Sequence, residues 1–244
     1  MLDAQFATSA AKASRNSAAA IFQREWRLYR IIVDYNYLFH REAYGRLRQV
    51  LLKGTARPFR FLDLACGDAS ATAGALKGME IASYCGVDLS ADALDLAGAA
   101  LADVDCPISL HEGDFVEALA DWAEPVDVIW VGLSLHHLRA PAKLKAMRAA
   151  RRLLDRGGML LAYENTSPDG EDRAGWLERW DWQERSWSAL TPEEWRRIRA
   201  HVRTHDHPET VSRWRELGRE AGFGTVRVHF VAPSNLFRLF SFQP

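Results

Sequence analysis

The stretch Phe59-Arg60-Phe61-Leu62-Asp63-Leu64-Ala65-Cys66-Gly67-Asp68-Ala69-Ser70-Ala71 constrains this chain more than any other. An apolar run of strand length ends in an acid, small residues come next, and residues 69–76 read as a helix. A strand, a tight turn of small side chains and a helix make the place where a doubly wound sheet opens its ligand crevice, because backbone can approach a ligand closely there. The dinucleotide glycine pattern is incomplete, with Ala65 and Ala69 standing where glycine is expected. Taken alone, the turn does not specify the ligand.

The later strand ends narrow the choice. A second strand, 81–87, ends in Asp88, near the roughly 20-residue offset at which an acid meets a ribose hydroxyl pair. A third, 107–110, leads to Glu112-Gly113-Asp114-Phe115, and a fourth, 126–131, leads to Gly132-Leu133-Ser134-Leu135-His136-His137-Leu138. Helices are expected over 91–101, 115–122 and 141–154, the last stopped by Gly157-Gly158 before a fifth strand over 159–164. Four strand ends carrying polar or small residues converge on one crevice.

In this order the motifs Leu62 to Ala69, Gly86-Val87-Asp88-Leu89-Ser90, Gly113-Asp114-Phe115, Asp127-Val128-Ile129-Trp130 with Leu135-His136-His137-Leu138, and Leu154 to Leu160 are informative together. The chain resembles a class I, Rossmann-like S-adenosylmethionine (SAM)-dependent methyltransferase of the small-molecule type, most strongly over residues 56–165. The resemblance implies an α/β fold: a seven-stranded, mostly parallel sheet with an antiparallel edge strand and helices on both faces. N-terminal helices and a helical insertion after the fifth strand would form a cap. Residues 1–20, rich in Ala and Ser and without the apolar core of a signal peptide, read as a flexible N-terminus, and the expected organisation continues with an N-terminal helical cap (21–54), a SAM-binding core (55–165), a helical insertion (166–207) and a C-terminal part (208–244) that completes the sheet.

The cofactor implied is SAM, and the matching positions name the residues that would hold it. Asp63 accepts from backbone N–H groups or, through water, from the ammonium of the methionine part, while Ala65, Cys66 and Gly67 offer backbone. Asp88 suits a vicinal diol, which brings two donors to an acceptor-only carboxylate. Leu89 and Phe115 sandwich the adenine, Asp114 accepts from its amine with Gly113 beside it, and Leu133 and Ser134 close the fourth strand end. Each of these acids also stands where a helix N-cap would, Ser90 being better placed than Asp88 for that job.

Methyl transfer leaves from a sulfonium, so the leaving group needs no acid; the protein must align the nucleophile and exclude water. If the acceptor must lose a proton, the candidate bases are His137, then Tyr163 and Glu164, with His136 beside them. His205-Asp206-His207 resembles metal ligands but precedes Pro208 and a helix, so it reads as a capping turn and no metal is expected.

Both flanks obey the same logic. Phe22, Trp26, Tyr29, Val33 and Tyr37 form an amphipathic stripe, and Tyr44, Leu47 and Leu51 continue it as a second helix after His40-Arg41, with Tyr35, Tyr37, His40 and Arg41 able to face the site. Thr191-Pro192-Glu193-Glu194 is a capping box, a helix is expected over 208–221, and strands over 225–231 and 236–242 close the sheet. Six tryptophans, Trp176, Trp180, Trp182, Trp187, Trp195 and Trp214, fall in the insertion or the next helix, as cap packing with one or two lining an acceptor pocket.

Composition excludes more than it assigns. A net charge of −1 gives no general attraction for nucleic acid or an anionic surface. The basic residues Lys143, Lys145, Arg148, Arg151, Arg152 and Arg156 read as a solvated helix face, because no aromatic residues interleave with them. The three cysteines, Cys66, Cys85 and Cys106, fit a reducing, cytoplasmic compartment, and no apolar run reaches the roughly 20 residues that span a bilayer. The expected partner is a small-molecule methyl acceptor, with neither nucleic acid nor membrane, and a homodimer is allowed. Two other readings stay open: an NAD(P)-dependent oxidoreductase of similar fold, or a non-catalytic SAM-binding protein.

Overall fold

A computed structural model describes residues 26–244, and the N-terminal segment with Phe22 lies outside them. Two helices lead, α1 (Trp26–Asp34) and α2 (His40–Gly54), before β1 (Phe59–Leu64), α3 (Ser70–Leu76), β2 (Ile81–Asp88) and α4 (Ala91–Ala100). Then come β3 (Ile108–Glu112), α5 (Phe115–Asp121), β4 (Val126–Gly132), a single 3-10 turn (Leu135–His137), α6 (Ala140–Leu153) and β5 (Leu154–Ser167). The insertion carries α7 (Arg173–Asp181) and α8 (Pro192–His205). A two-residue strand β6 (Glu209–Thr210), α9 (Val211–Glu220), β7 (Thr225–Val231) and β8 (Phe237–Gln243) end the chain.

The strands run in the order β3-β2-β1-β4-β5-β8-β7, with β6 added beside the end of β5. β1 pairs in parallel with both β2 and β4, which makes its carboxyl end the topological switch point. β8 is antiparallel to β5 and to β7, so an antiparallel pair forms that edge, with the reversed strand as its inner member. Apolar residues alternate in β1 and β4: Phe61 and Trp130 enter one core, Leu62, Leu64, Ile129 and Val131 the other. Residues of α2, α3 and the insertion cover the first face, and residues of α5, α6 and α9 the second. Burying both faces is what allows a parallel strand to be apolar throughout.

Several expected boundaries move for identifiable reasons. α1 ends at Asp34, so Tyr37 leaves the helical stripe and sits in the next turn, where its ring stacks on Trp187 at 4.8 Å. Gly157-Gly158 does not stop α6; the chain passes at Leu154 directly into β5. Gly158 is needed for close approach instead, since an added Cβ would lie 3.0 Å from the Asp127 carbonyl oxygen. The last helix starts at Val211 rather than at Pro208, because the Thr210 hydroxyl caps it and Glu209–Thr210 joins the sheet. Lys143 is no part of a solvated face: it is fully buried, its ammonium donating to the His207 carbonyl and to Glu209.

Candidate active site

The crevice lies at the carboxyl ends of β1 to β4. After Leu64 the chain turns through three residues with positive φ, Ala65 (53°), Gly67 (55°) and Ala69 (51°), a conformation that larger side chains resist. The turn is fixed from β2: the Cys66 N–H donates to the Val87 carbonyl at 3.0 Å and the Gly67 N–H donates to Asp88 Oδ2 at 2.8 Å. Asp88 Oδ1 accepts the Ser90 N–H at 2.9 Å, while the Ser90 hydroxyl caps α4 by accepting from Ala93. Each Asp88 oxygen therefore keeps acceptor capacity for one further donor. Burial raises the pKa of this half-buried carboxyl, and the backbone donors of Ser90, Gly67 and Leu89 oppose the rise.

Asp63 is buried, where it accepts the Tyr84 hydroxyl at 2.8 Å. Burial pushes its carboxyl up to about 7 despite hydrogen bonds from Tyr84 and Thr72. Phe115, Gly113 and Asp114 are half-buried, and Leu89 is exposed. Asp114 caps α5, its Oδ1 accepting from Val116 at 2.8 Å and from Glu117 at 3.2 Å. Leu133, with φ of 54°, and Ser134 come directly after β4, and the Ser134 N–H donates to Glu164. A Cβ placed on Gly67 or Gly113 would meet nothing within 4 Å, so both face open space.

The three candidate bases are otherwise engaged. Tyr163 is buried and its hydroxyl donates to the Leu38 carbonyl at 2.7 Å, with burial holding its pKa well above the usual range. Glu164, also fully buried, accepts the N–H groups of Ser134, Leu135 and His136 and faces His136 Nδ1 at 2.8 Å. It anchors the turn after β4 rather than facing a substrate. His137 packs between the rings of His136 and His201, its Nδ1 3.4 Å from Asp206 Oδ1.

A hollow of about 200 Å³ adjoins the β1 turn, lined on one side by Cys66, Asp68, Ala69 and Thr72 and on the other by Tyr29, His40 and Tyr44 of the leading helices. His40 is buried, which lowers its pKa to about 4, and its Nδ1 has no hydrogen-bond partner among the described residues. The Tyr44 hydroxyl would lie 3.2 Å from a Cβ on Gly132, so that glycine admits the tyrosine. Of the residues the sequence offers for this wall, His40 lines it, while Tyr35 is exposed and Tyr37 docks the insertion. Four tryptophans, Trp176, Trp180, Trp187 and Trp195, pack edge to face as the insertion's own core, while Trp182 is exposed.

The three thiols are free. Burial pushes Cys85 up to about 12 and raises Cys66 and Cys106 as well, so all three are protonated and poorly nucleophilic. No helix among the described residues is long and apolar enough to cross a membrane.

Known proteins share this fold. Residues 61–158 match the family model described as a methyltransferase domain. A curated relative, the probable methyltransferase ltbC of Aspergillus luteorubrus, is 32% identical over 125 residues, 48% of this chain; the chain spans only 44% of that relative. Among solved structures, magnesium protoporphyrin IX methyltransferase ChlM of Synechocystis, with bound SAH, superposes with a TM-score of 0.66 at 12% identity, covering 94% of this chain and all of the other. An O-methyltransferase family protein of Burkholderia thailandensis gives 0.60 at 19% identity over 91% and 63% of the two chains.

Proposed function

We propose that this chain, whose residues 61–158 match a methyltransferase domain model, is a SAM-dependent methyltransferase acting on a small-molecule acceptor. The observation that carries the reading is the Asp88 carboxylate at the end of β2. Both its oxygens are held by backbone N–H groups, and both retain acceptor capacity facing the glycine turn. That is the donor-acceptor set a ribose diol requires. The open space above Gly67 and Gly113 leaves room for the sugar and base, and the hollow between the β1 turn and Tyr29, His40 and Tyr44 for the amino-acid end.

SAM supplies a methyl group on a positively charged sulfur. The rest is the work of this chain. Asp88 orients the nucleoside, Leu89 and Phe115 bracket the base with Gly113 and Asp114 at its edge, and the backbone of Ala65, Cys66 and Gly67 lies along the amino-acid portion. Asp63, whose carboxyl burial pushes up to about 7, stands behind that turn and ionises more readily when a cation approaches. Leu133 and Ser134 form the rim against which an acceptor would be aligned. No general base enters this reading, since Tyr163 and Glu164 are buried and spent on structural hydrogen bonds. Alignment and water exclusion carry the rate. A small acceptor suits the −1 net charge, and a reducing, cytoplasmic setting suits three free thiols.

The test is a calorimetric panel of SAM, S-adenosylhomocysteine, NAD and NADP, with transfer of a labelled methyl group to a library of small hydroxyl, amine and thiol acceptors. The reading expects the two sulfur nucleosides to bind and at least one acceptor to be labelled. Binding of the nicotinamide cofactors alone would assign the crevice to an oxidoreductase. Binding of SAM without transfer to any acceptor would favour a sensor.

A further inference from the structure

Behind the turn after β4 lies a cluster that the mechanism proposed above does not use. The 3-10 turn supplies His136 and His137; His201 comes from α8 and Asp206 from the residue that ends it. Asp206 is 2% exposed, and its Oδ1 has no hydrogen-bond partner among the described residues. Around that one oxygen stand His137 Nδ1 at 3.4 Å, His201 Nε2 at 3.6 Å and His136 Nε2 at 3.7 Å. These separations exceed the 2.7–3.2 Å of an N–H···O hydrogen bond. They approach the roughly 3.3 Å between ligand atoms that each lie about 2.0–2.1 Å from a tetrahedral zinc ion.

The surroundings are those that orient metal ligands. Glu164 faces His136 Nδ1 at 2.8 Å, which turns Nε2 of the same ring toward Asp206. Asn165 donates to Asp206 Oδ2 at 2.9 Å, which turns Oδ1 toward the three histidines. A carboxylate behind a ligating histidine fixes its tautomer and raises its basicity. The His207 N–H, donating to the His136 carbonyl at 2.7 Å, ties the end of the insertion to the turn at the same point. Two buried carboxylates, Glu164 and Asp206, thus face the same histidine ring, His136, from its two nitrogens.

We propose that His136 Nε2, His137 Nδ1 and Asp206 Oδ1, with His201 Nε2 as the fourth ligand, form a site for one divalent transition-metal ion of the zinc type that clamps the helical insertion onto the turn after β4. The ligand atoms of the first three residues lie within 4.8 Å of one another. Imidazole and carboxylate donors without thiolate suit zinc or cobalt(II) rather than a soft ion. The triplet His205-Asp206-His207 is then a metal signal in only one of its members, since Thr210, not Asp206, caps α9. Of the partners of Asp206, His136 and His137 lie far off in sequence, while His201 sits in the helix that Asp206 ends.

The experiment measures metal content of the untagged full chain, grown with zinc, by mass spectrometry, together with the absorption of the cobalt(II)-loaded protein. The expected result is about one ion per chain, tetrahedral cobalt bands with no thiolate charge-transfer band, and at least a tenfold loss of bound metal in His137→Ala and His201→Ala. A chelator should lower the unfolding temperature of the wild type and leave those variants unmoved. Folded wild-type protein holding less than about a tenth of an ion per chain overturns the proposal, as do a thiolate band or variants that keep their metal. If both variants fail to fold, the wild-type metal content, cobalt bands and chelator response decide alone.

Discussion

Asp88 Oδ2 accepts the Gly67 N–H at 2.8 Å, so one carboxylate joins the end of β2 to the turn after β1. In the proposed function the same side chain that shapes the turn also holds the ribose. Asp88→Ala is expected to weaken SAM binding by about 1.5–3 kcal/mol, the scale of lost hydrogen bonds to a charged group, or roughly tenfold to 150-fold in Kd. Calorimetry checks this; unchanged affinity with a native unfolding profile would remove Asp88 from the ribose site.

Glu164 satisfies three backbone N–H groups and His136 from a fully buried position. Glu164→Ala leaves those buried groups without their acceptor, an expected loss of about 3–5 kcal/mol, or on the order of 10 °C in a chain of this size. Glu164→Gln, which keeps one acceptor oxygen, should recover part of it. Thermal unfolding of both variants reads the order, and an unshifted Glu164→Ala would show that the turn is held some other way.

Asp63 gives a pH dependence whose sign is fixed by burial. Its folded pKa, pushed up to about 7, lies above the unfolded value near 3.8, so the folded protein binds the proton more tightly. Its contribution to stability is complete below about pH 4 and is lost as pH rises through about 7. Asp63→Asn should remove this slope. The stability difference between variant and wild type should then move in the variant's favour by as much as about 4 kcal/mol across that window. Urea unfolding at several pH values measures it, and a parallel pair of pH profiles would contradict the assignment.

Tyr37 holds the insertion to the leading helices, its ring stacked on Trp187 and its hydroxyl accepting the Ala189 N–H at 2.8 Å. Tyr37→Phe should cost about 0.5–1.5 kcal/mol, and Tyr37→Ala more, because the stack goes as well. Hydrogen exchange at Ala189 should quicken in both. Exchange that stays slow would mean that the insertion docks without this contact.

What the sequence makes legible is what local pattern determines. The β1 turn, the acid ending β2, the Ser90 and Thr191 caps and the strands of the core all appear where periodicity and capping residues put them. Asp114 shows the limit of such signals, because one carboxylate can cap a helix and face a ligand, and spacing alone does not separate the two. The rest depends on contacts between distant segments. Lys143 sits in a basic stripe that reads as solvated, yet Glu209 and the His207 carbonyl draw it inside. Tyr163 and Glu164 look like bases at a strand end until the Leu38 carbonyl and the turn after β4 are seen to occupy them. His201 carries no signal of its own; its meaning comes from Asp206 and from the histidine pair just past β4.

The central claim meets its most direct test in a crystal structure with S-adenosylhomocysteine. The account predicts both ribose hydroxyls within hydrogen-bond distance of Asp88, the adenine between Leu89 and Phe115, and the amino-acid end beside Tyr29 and His40. A nucleoside bound elsewhere, with Asp88 turned away and the two apolar side chains closed over the crevice, would contradict it.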